Sequence, residues 1–130
     1  YDLANAQFDV FVNDTDFAPS PTLVDDSIEA VTRAGIGVGF TGSGALWNGF
    51  MADVFYDQVY VDLSVLANRR KFIDSAGKPV NLGLDGSTPL GSQPDMFLSG
   101  PTANWYTNKG KSGGFTETGE ITTASSSPSD

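Results

Sequence analysis

Carboxylates are the side chains of this sequence that could perform catalysis. The 130 residues contain sixteen Asp and Glu but no histidine and no cysteine, so neither a Ser-His-Asp triad nor a Cys-His pair can form. Two carboxylic acids flanking a sugar are the usual device of glycoside hydrolases, and Glu117 and Glu120 are the nearest such pair. Because they flank a predicted turn, we interpret them as surface residues. The sequence therefore predicts a protein that is not an enzyme.

Two oxygen-rich loops could bind a hard cation such as Ca²⁺, which prefers carboxylate, amide and carbonyl oxygens. The first contains Asn13-Asp14-Thr15-Asp16 and offers Asp14 and Asp16 as metal ligands, and the second contains Asp85-Gly86-Ser87. Neither has the ligand number of an EF-hand loop. Asx turns, in which such side chains bond their own backbone, are the alternative interpretation. Ca²⁺ is the one cofactor for which the sequence offers candidate ligands.

Aromatic side chains in predicted loops are candidate sugar-binding residues, because aromatic rings stack on pyranose faces. Trp47, Trp105 and Tyr106 lie in such loops, and we predict them as ligand-binding residues. The alternative is that these rings cover the core or an interface between neighbouring subunits.

The charge of the chain argues against nucleic acid as a partner. The formal net charge is −9 with only seven Lys and Arg, whereas phosphate backbones are bound by clustered basic residues. The cluster Arg69-Arg70-Lys71 is interpreted as the surface of a helix. No apolar run approaches the roughly 20 residues that a membrane-spanning helix needs, so no membrane span is predicted.

The middle of the chain predicts two strands and a helix in succession. Apolar residues alternate over 50–56, which predicts a strand, and 59–63 predicts a shorter second strand. A helix is predicted over 65–74, with Ser64 as its N-cap because a hydroxyl can accept an unpaired backbone N–H there. Ala76-Gly77 is predicted to end the helix.

Arg69 falls within the apolar stripe of the predicted helix. A guanidinium in that position must reach water along its stem or meet a carboxylate. We therefore predict that Arg69 and a carboxylate of the neighbouring strands have a structural role, and the candidates are Asp53, Asp57 and Asp62. Arg70 and Lys71 are predicted to be solvated.

Other segments predict further short strands. Residues 7–13 alternate apolar and polar side chains, and 96–98 form a short apolar run. Residues 115–117 and 120–122 predict a final hairpin, and 23–33 is compatible with a helix or a strand pair. With fifteen glycines, these short strands indicate an all-β protein with one short helix.

Several motifs together resemble a known family. FDVFVND at 8–14, GIGVGF at 35–40 and NGFMADVFY at 48–56 resemble the strands of a laminin-G-like, concanavalin-A-like lectin domain. The later DLSVLANRRKFIDSAGKPVNLG is similar to lectin-like modules of bacteriophage virion proteins. The resemblance implies the C-terminal part of a jelly-roll β-sandwich, with the module over 1–124 and a polar tail over 125–130. It also favours a strand pair over 23–33.

The resemblance also implies a function. The expected protein is a non-enzymatic structural, decoration or fibre module of a virion, whose partners are other virion proteins, identical copies and host-surface glycans. A secreted carbohydrate-binding or adhesion module is the first alternative. A glycoside hydrolase is the second, although the Glu-x-Asp-x-x-Glu pattern of hydrolases with this fold is absent. A sandwich of this kind needs strands ahead of residue 1, so we expect upstream residues or identical neighbours to complete it.

Overall fold

The computed structural model describes residues 2, 5–17, 36, 49–117 and 119–125. Within them lie two antiparallel two-stranded sheets and one short helix. In chain order the elements are β1 (Phe11–Val12), β2 (Thr15–Asp16), β3 (Val54–Tyr56), α1 (Leu66–Arg69), β4 (Met96–Leu98) and a 3-10 turn (Thr102–Asn104). In the described part of the chain, strands outnumber the single short helix, which is consistent with the predicted all-β class, and turns and irregular segments connect them.

The first sheet is a tight hairpin. Phe11 pairs with Asp16 and Val12 with Thr15, so two residues form the turn. These residues, Asn13 and Asp14, have φ angles of 47° and 66°, and two left-handed residues match the twist of paired strands. The predicted strand 7–13 is therefore shorter than expected, and the predicted loop at 14–16 is the turn and second strand of a hairpin.

The second sheet joins segments that are far apart in the sequence. Val54 pairs with Leu98, Phe55 with Phe97 and Tyr56 with Met96. The predicted strand at 96–98 is confirmed with the same bounds. The strand predicted over 50–56 forms only at its C-terminal end, where a partner strand is present.

Helix α1 is shorter than predicted. It covers Leu66–Arg69, and Val65 rather than Ser64 is the N-cap residue, without a side-chain cap. The Ser64 hydroxyl instead bonds Asp62 Oδ1 at 2.5 Å, and the Ser64 amide donates to the same oxygen. The Asp62 carboxylate thus binds the Ser64 hydroxyl that was predicted to cap the helix.

A small hairpin follows α1. Ile73 forms a bridge with Pro79, and the Asp74 amide donates to the carbonyl oxygen of Lys78 at 2.8 Å. Gly77 has a φ of 82°, which only glycine adopts without strain, and it allows this reversal. Ile73 and Asp74, the last residues of the helix predicted over 65–74, therefore belong to this hairpin instead.

The best-packed part of the described chain surrounds β4. Phe97 and Leu98 are each 2% exposed, and Leu82 is also buried. Gly86 lies against Phe97 so closely that a Cβ atom on it would be 2.8 Å from the ring. The absence of a side chain at Gly86 therefore leaves the space that the Phe97 ring occupies.

Two sequence predictions fail within the described residues. Residues 59–63 and the proposed final hairpin at 115–117 and 120–122 form no strand. Among the described residues, neither segment has a strand partner of the kind that β4 provides for β3. The predictions for 23–33, for most of 35–40, for Trp47 and for 126–130 lie outside the described residues.

Candidate functional site

The turn of the first hairpin places a carboxylate between two arginines. Asp14 Oδ1 accepts from Arg69 Nε at 2.6 Å, and Asp14 Oδ2 accepts from Arg70 Nη2 at 2.6 Å. We call these three residues the Asp14–arginine cluster. It connects the β1–β2 hairpin to α1 across 55 residues of sequence.

Arg69 makes further contacts that fix its side chain. Its Nη1 donates to the carbonyl oxygens of Leu63 at 2.6 Å and Ser64 at 3.1 Å, and its guanidinium lies 4.4 Å from the centre of the Phe11 ring. The expectation that Arg69 reaches a carboxylate is therefore correct. The predicted partners, Asp53, Asp57 and Asp62, were wrong, because the hairpin turn brings Asp14 closer.

The charges of the cluster stabilise one another. Hydrogen bonds from Arg70 and Arg69 lower the pKa of Asp14 from 3.8 to about 2. The hydrogen bond between Arg70 and Asp14 also raises the pKa of Arg70. Arg70 was predicted to be solvated, but its side chain is instead paired with Asp14. Arg70 Nη1 is buried without a hydrogen-bond partner, which costs free energy. The bond from Nη2 of the same guanidinium to Asp14 compensates for this cost.

This geometry disagrees with Asp14 as a calcium ligand. Both of its carboxylate oxygens accept hydrogen bonds from guanidinium groups, and a cation there would meet two positive charges. Asp16 lies on β2 with its side chain exposed. Among the residues that the structure describes, no group of three or more Asp, Glu, His or Cys could hold a metal ion.

Beside the Asp14–arginine cluster lies an apolar cavity of about 440 Å³. Its walls come from the first hairpin, β3, the segment between β3 and α1, the last residue of α1, and the residues after α1. Two of the lining rings, Phe55 and Phe72, meet edge to face with their centres 5.3 Å apart. Arg69 and Asp14 line one part of the cavity, and Asp57 lines another.

Asp57 belongs to a second charged group. Lys111 Nζ lies 3.6 Å from Asp57 Oδ1 and 3.3 Å from Asp95 Oδ1, and Gln58 Nε2 donates to Asp95 Oδ2 at 3.0 Å. The hydrogen bond from Gln58 and the contact with Lys111 lower the pKa of Asp95. The bond to Asp95 in turn raises the pKa of Lys111. Sequence analysis missed this group, because its members come from three segments.

The aromatic residues predicted to bind sugar differ in their surroundings. Trp105 is half-buried, and its indole N–H donates to the carbonyl oxygen of Ala52 at 2.5 Å. This hydrogen bond connects the Trp105 side chain to the segment leading into β3. Tyr106, the next residue in the sequence, is also half-buried. Trp47 lies outside the described residues.

The remaining predicted residues lie apart from the cavity lining. Asp53 is an exposed residue, although partial burial of its carboxyl raises its pKa, against the opposing effect of Lys109. Glu117 and Glu120 are both exposed. The Asp85 carboxylate accepts from the Ser87 amide at 3.0 Å, which is the Asx-turn alternative for that loop.

Asn108 is a structural residue that sequence analysis missed. Its Oδ1 accepts from the amides of Phe97 and Gly110, each at 2.9 Å, and its Nδ2 donates to the carbonyls of Asp95 and Ser112. One amide side chain thus holds the 108–112 loop along β4. The Asn-Lys-Gly sequence, typical of a turn, was the available signal.

Comparisons with known proteins add no relative. No protein-family model, no curated protein and no solved structure matches the chain. Within the described residues, no helix has the length and apolar character needed to cross a membrane.

Proposed function

We propose that the chain is a non-enzymatic structural module of a virion, a decoration or fibre component whose surface is completed by neighbouring proteins. The proposal includes a concanavalin-A-like jelly-roll arrangement for the whole module. The two antiparallel sheets and the tight hairpin are compatible with that architecture.

One observation supports the proposal best: large apolar side chains are more often exposed than buried. Within the described residues, three hydrophobic residues are buried, whereas eleven large ones are exposed. Among the latter, Leu84 is 94% exposed, Phe50 75% and Phe17 71%. Isolated exposed apolar residues are normal on a protein surface, so the proposal requires that several of these side chains together contact a neighbouring protein. A subunit of a particle would bury them against its neighbours.

Host-surface glycans are the proposed ligand of the module. The glycan-binding proposal now depends mainly on Trp47, because the indole N–H of Trp105 already bonds the Ala52 carbonyl. Tyr106 remains a second candidate ring. Glycan contacts would sit at the particle surface, away from the apolar contacts between subunits.

The location is tested on particles from the organism that encodes the chain. Antibodies against the chain should detect it in gradient-purified virions, at a constant ratio to the major capsid protein. Detection only in the particle-free culture supernatant would favour the secreted adhesion module and overturn the virion proposal.

The role of the exposed apolar residues is tested by incorporation into particles. Replacing Phe17 or Leu84 by Ser should reduce incorporation while the unfolding midpoint stays unchanged. Thr107→Ala, at an exposed polar residue, is the matched control. Equal incorporation of all variants would contradict the role of the apolar surface in assembly.

Glycan binding is tested separately on an array of bacterial surface saccharides. We expect binding that Trp47→Ala abolishes and Tyr106→Phe, which retains the ring, leaves intact. Saccharide release by the wild-type chain that Glu117→Gln with Glu120→Gln removes would show a glycoside hydrolase instead.

A further inference from the structure

The first hairpin has one face made of uncharged, mainly apolar side chains. Val12 pairs with Thr15, and the Phe17 amide donates to the Val10 carbonyl oxygen at 2.8 Å, which extends the pairing by one more step. Side chains of cross-strand pairs, and of residues two apart along a strand, lie on the same face of a sheet. Val10, Val12, Thr15 and Phe17 therefore share one face, which we call the outer hairpin face.

The opposite face of the hairpin contacts the rest of the chain. The Arg69 guanidinium lies 4.4 Å from the centre of the Phe11 ring. Asp9 Oδ2 accepts from the Tyr60 hydroxyl at 3.3 Å. Phe11 and Asp9 alternate with the apolar residues of their strand, so the outer hairpin face points away from these contacts.

This arrangement reverses the usual one. In an antiparallel sheet with one solvated face, the apolar side chains normally turn towards the core and the charged ones towards water. Here the charged Asp9 and Asp16 belong to the face that carries Phe11. On the outer hairpin face, Val12 is 56% exposed and Phe17 is 71% exposed. Unlike a single exposed residue, adjacent apolar side chains on paired strands form a surface that a partner can cover.

From this geometry we infer that the outer hairpin face binds the same face of a second copy of the chain. Charge favours this partner. The chain has a formal net charge of −9, but none of the four side chains of the outer hairpin face is charged. Two copies can therefore bring these faces together without placing carboxylates opposite one another, and an uncharged apolar face is complementary to itself. A basic partner would instead be attracted to acidic residues elsewhere on the surface.

The outer hairpin face is small, so the contact should be weak. Its side chains bury much less area than the roughly 1,200 Å² of a stable interface between proteins. We therefore expect reversible self-association with a dissociation constant of about 0.1–1 mM. The inference deepens the proposed function and rests on it for the setting, in which a particle holds many copies close together.

The experiment is a concentration series of the purified ¹⁵N-labelled chain, observed by NMR. From about 20 μM to about 1 mM, we expect the amide signals of Val12, Thr15 and Phe17 to shift, while that of Lys111 beside β4 stays unchanged. Raising NaCl from about 50 mM to about 500 mM should strengthen the association, because salt screens the repulsion between two chains of like charge.

Three outcomes of this series would overturn the inference. The first is that the hairpin signals do not change with concentration, as when another part of the chain covers the face. The second is an association that weakens with salt, which would indicate a contact between opposite charges. The third is a set of shifts that excludes the hairpin. None of them affects the detection of the chain in virions, which tests the proposed function separately.

Substitutions test which side chains form the contact. Phe17→Ser should weaken self-association about tenfold, because it removes an aromatic ring from the contact. Val12→Thr keeps the branched shape but adds a hydroxyl, and it should weaken self-association about threefold even if Phe17→Ser does not fold. Phe50→Ser, at a ring that is 75% exposed outside the hairpin, is the matched control and should leave the association unchanged. Unchanged association in the hairpin variants, or an equal loss in Phe50→Ser, would contradict the assignment.

Discussion

The first hairpin and the β4 region are held in place by different forces. The Asp14–arginine cluster connects the hairpin to α1 mainly through charged hydrogen bonds. The β4 region is held by the burial of Phe97 and Leu98 and by backbone bonds, such as the Lys109 amide to the Phe97 carbonyl at 2.9 Å. Charged contacts near a surface respond to pH and salt, whereas close packing responds to shape. The two regions should therefore fail under different perturbations.

The largest expected effect is the loss of the buried Phe97 ring. Phe97→Ala should lower the free energy of unfolding by about 3–5 kcal/mol, because it removes a side chain that is 2% exposed and leaves a cavity. Urea unfolding measures the change. Phe50→Ala, at a ring that is 75% exposed, is the matched control and should cost less than about 0.5 kcal/mol. Equal costs would contradict the assignment of the core to β4.

The next effect tests the close contact between the 108–112 loop and β4. A Cβ atom on Gly110 would lie 2.5 Å from the Pro94 carbonyl oxygen and 2.8 Å from that of Asp95. Gly110→Ala should therefore destabilise the chain by about 1–3 kcal/mol through overpacking. Gly114→Ala meets nothing within 4 Å and should cause no loss of stability. Similar results for both variants would show that the loop does not pack on β4.

A smaller effect is expected in the Asp14–arginine cluster. Arg69→Ala should destabilise the chain more than Arg70→Ala, because Arg69 also contacts the Leu63 and Ser64 carbonyls and the Phe11 ring. A double-mutant cycle with Asp14→Ala separates the contribution of the carboxylate. The coupling should weaken at high salt, and a coupling of zero at low salt would contradict the role of the cluster.

The smallest effect is a dependence on acid. The pKa of Asp14 is about 2 in the folded chain and 3.8 in its ordinary environment. Because the folded value is lower, the stabilisation by Asp14 is fully present above pH 3.8 and is lost as the pH falls towards 2. Unfolding of the wild type and Asp14→Asn should therefore differ at pH 5 and converge near pH 2. A constant difference would contradict the lowered pKa.

Local patterns predicted some of these features because the relevant information lies within a few residues. The strand at 96–98 and the presence of a short helix near 66 follow from apolar spacing, and both are confirmed. The N-cap at Ser64 was wrong because a hydroxyl has several possible partners, and the Asp62 carboxylate is nearer.

Contacts between distant segments were beyond such patterns. The helical wheel showed that Arg69 needs a partner, but Asp14 lies 55 residues away and meets it only after the hairpin turn forms. The cavity likewise arises where the first hairpin meets residues 55–73. The periodicity of apolar residues predicts on which face of a helix or strand a residue lies. It does not predict which other segment packs on that face.

Amide hydrogen exchange of the wild type and Arg69→Ala tests most directly the claim that the two regions are held separately. The Phe17 amide donates to the Val10 carbonyl in the hairpin, and the Lys111 amide donates to the Pro94 carbonyl beside β4. We predict that Arg69→Ala accelerates exchange at Phe17, because the hairpin loses the bond from Arg69 to Asp14 and the Arg69 contact with the Phe11 ring, while exchange at Lys111 stays unchanged. Unchanged exchange at Phe17, or equal acceleration at both amides, would contradict the account.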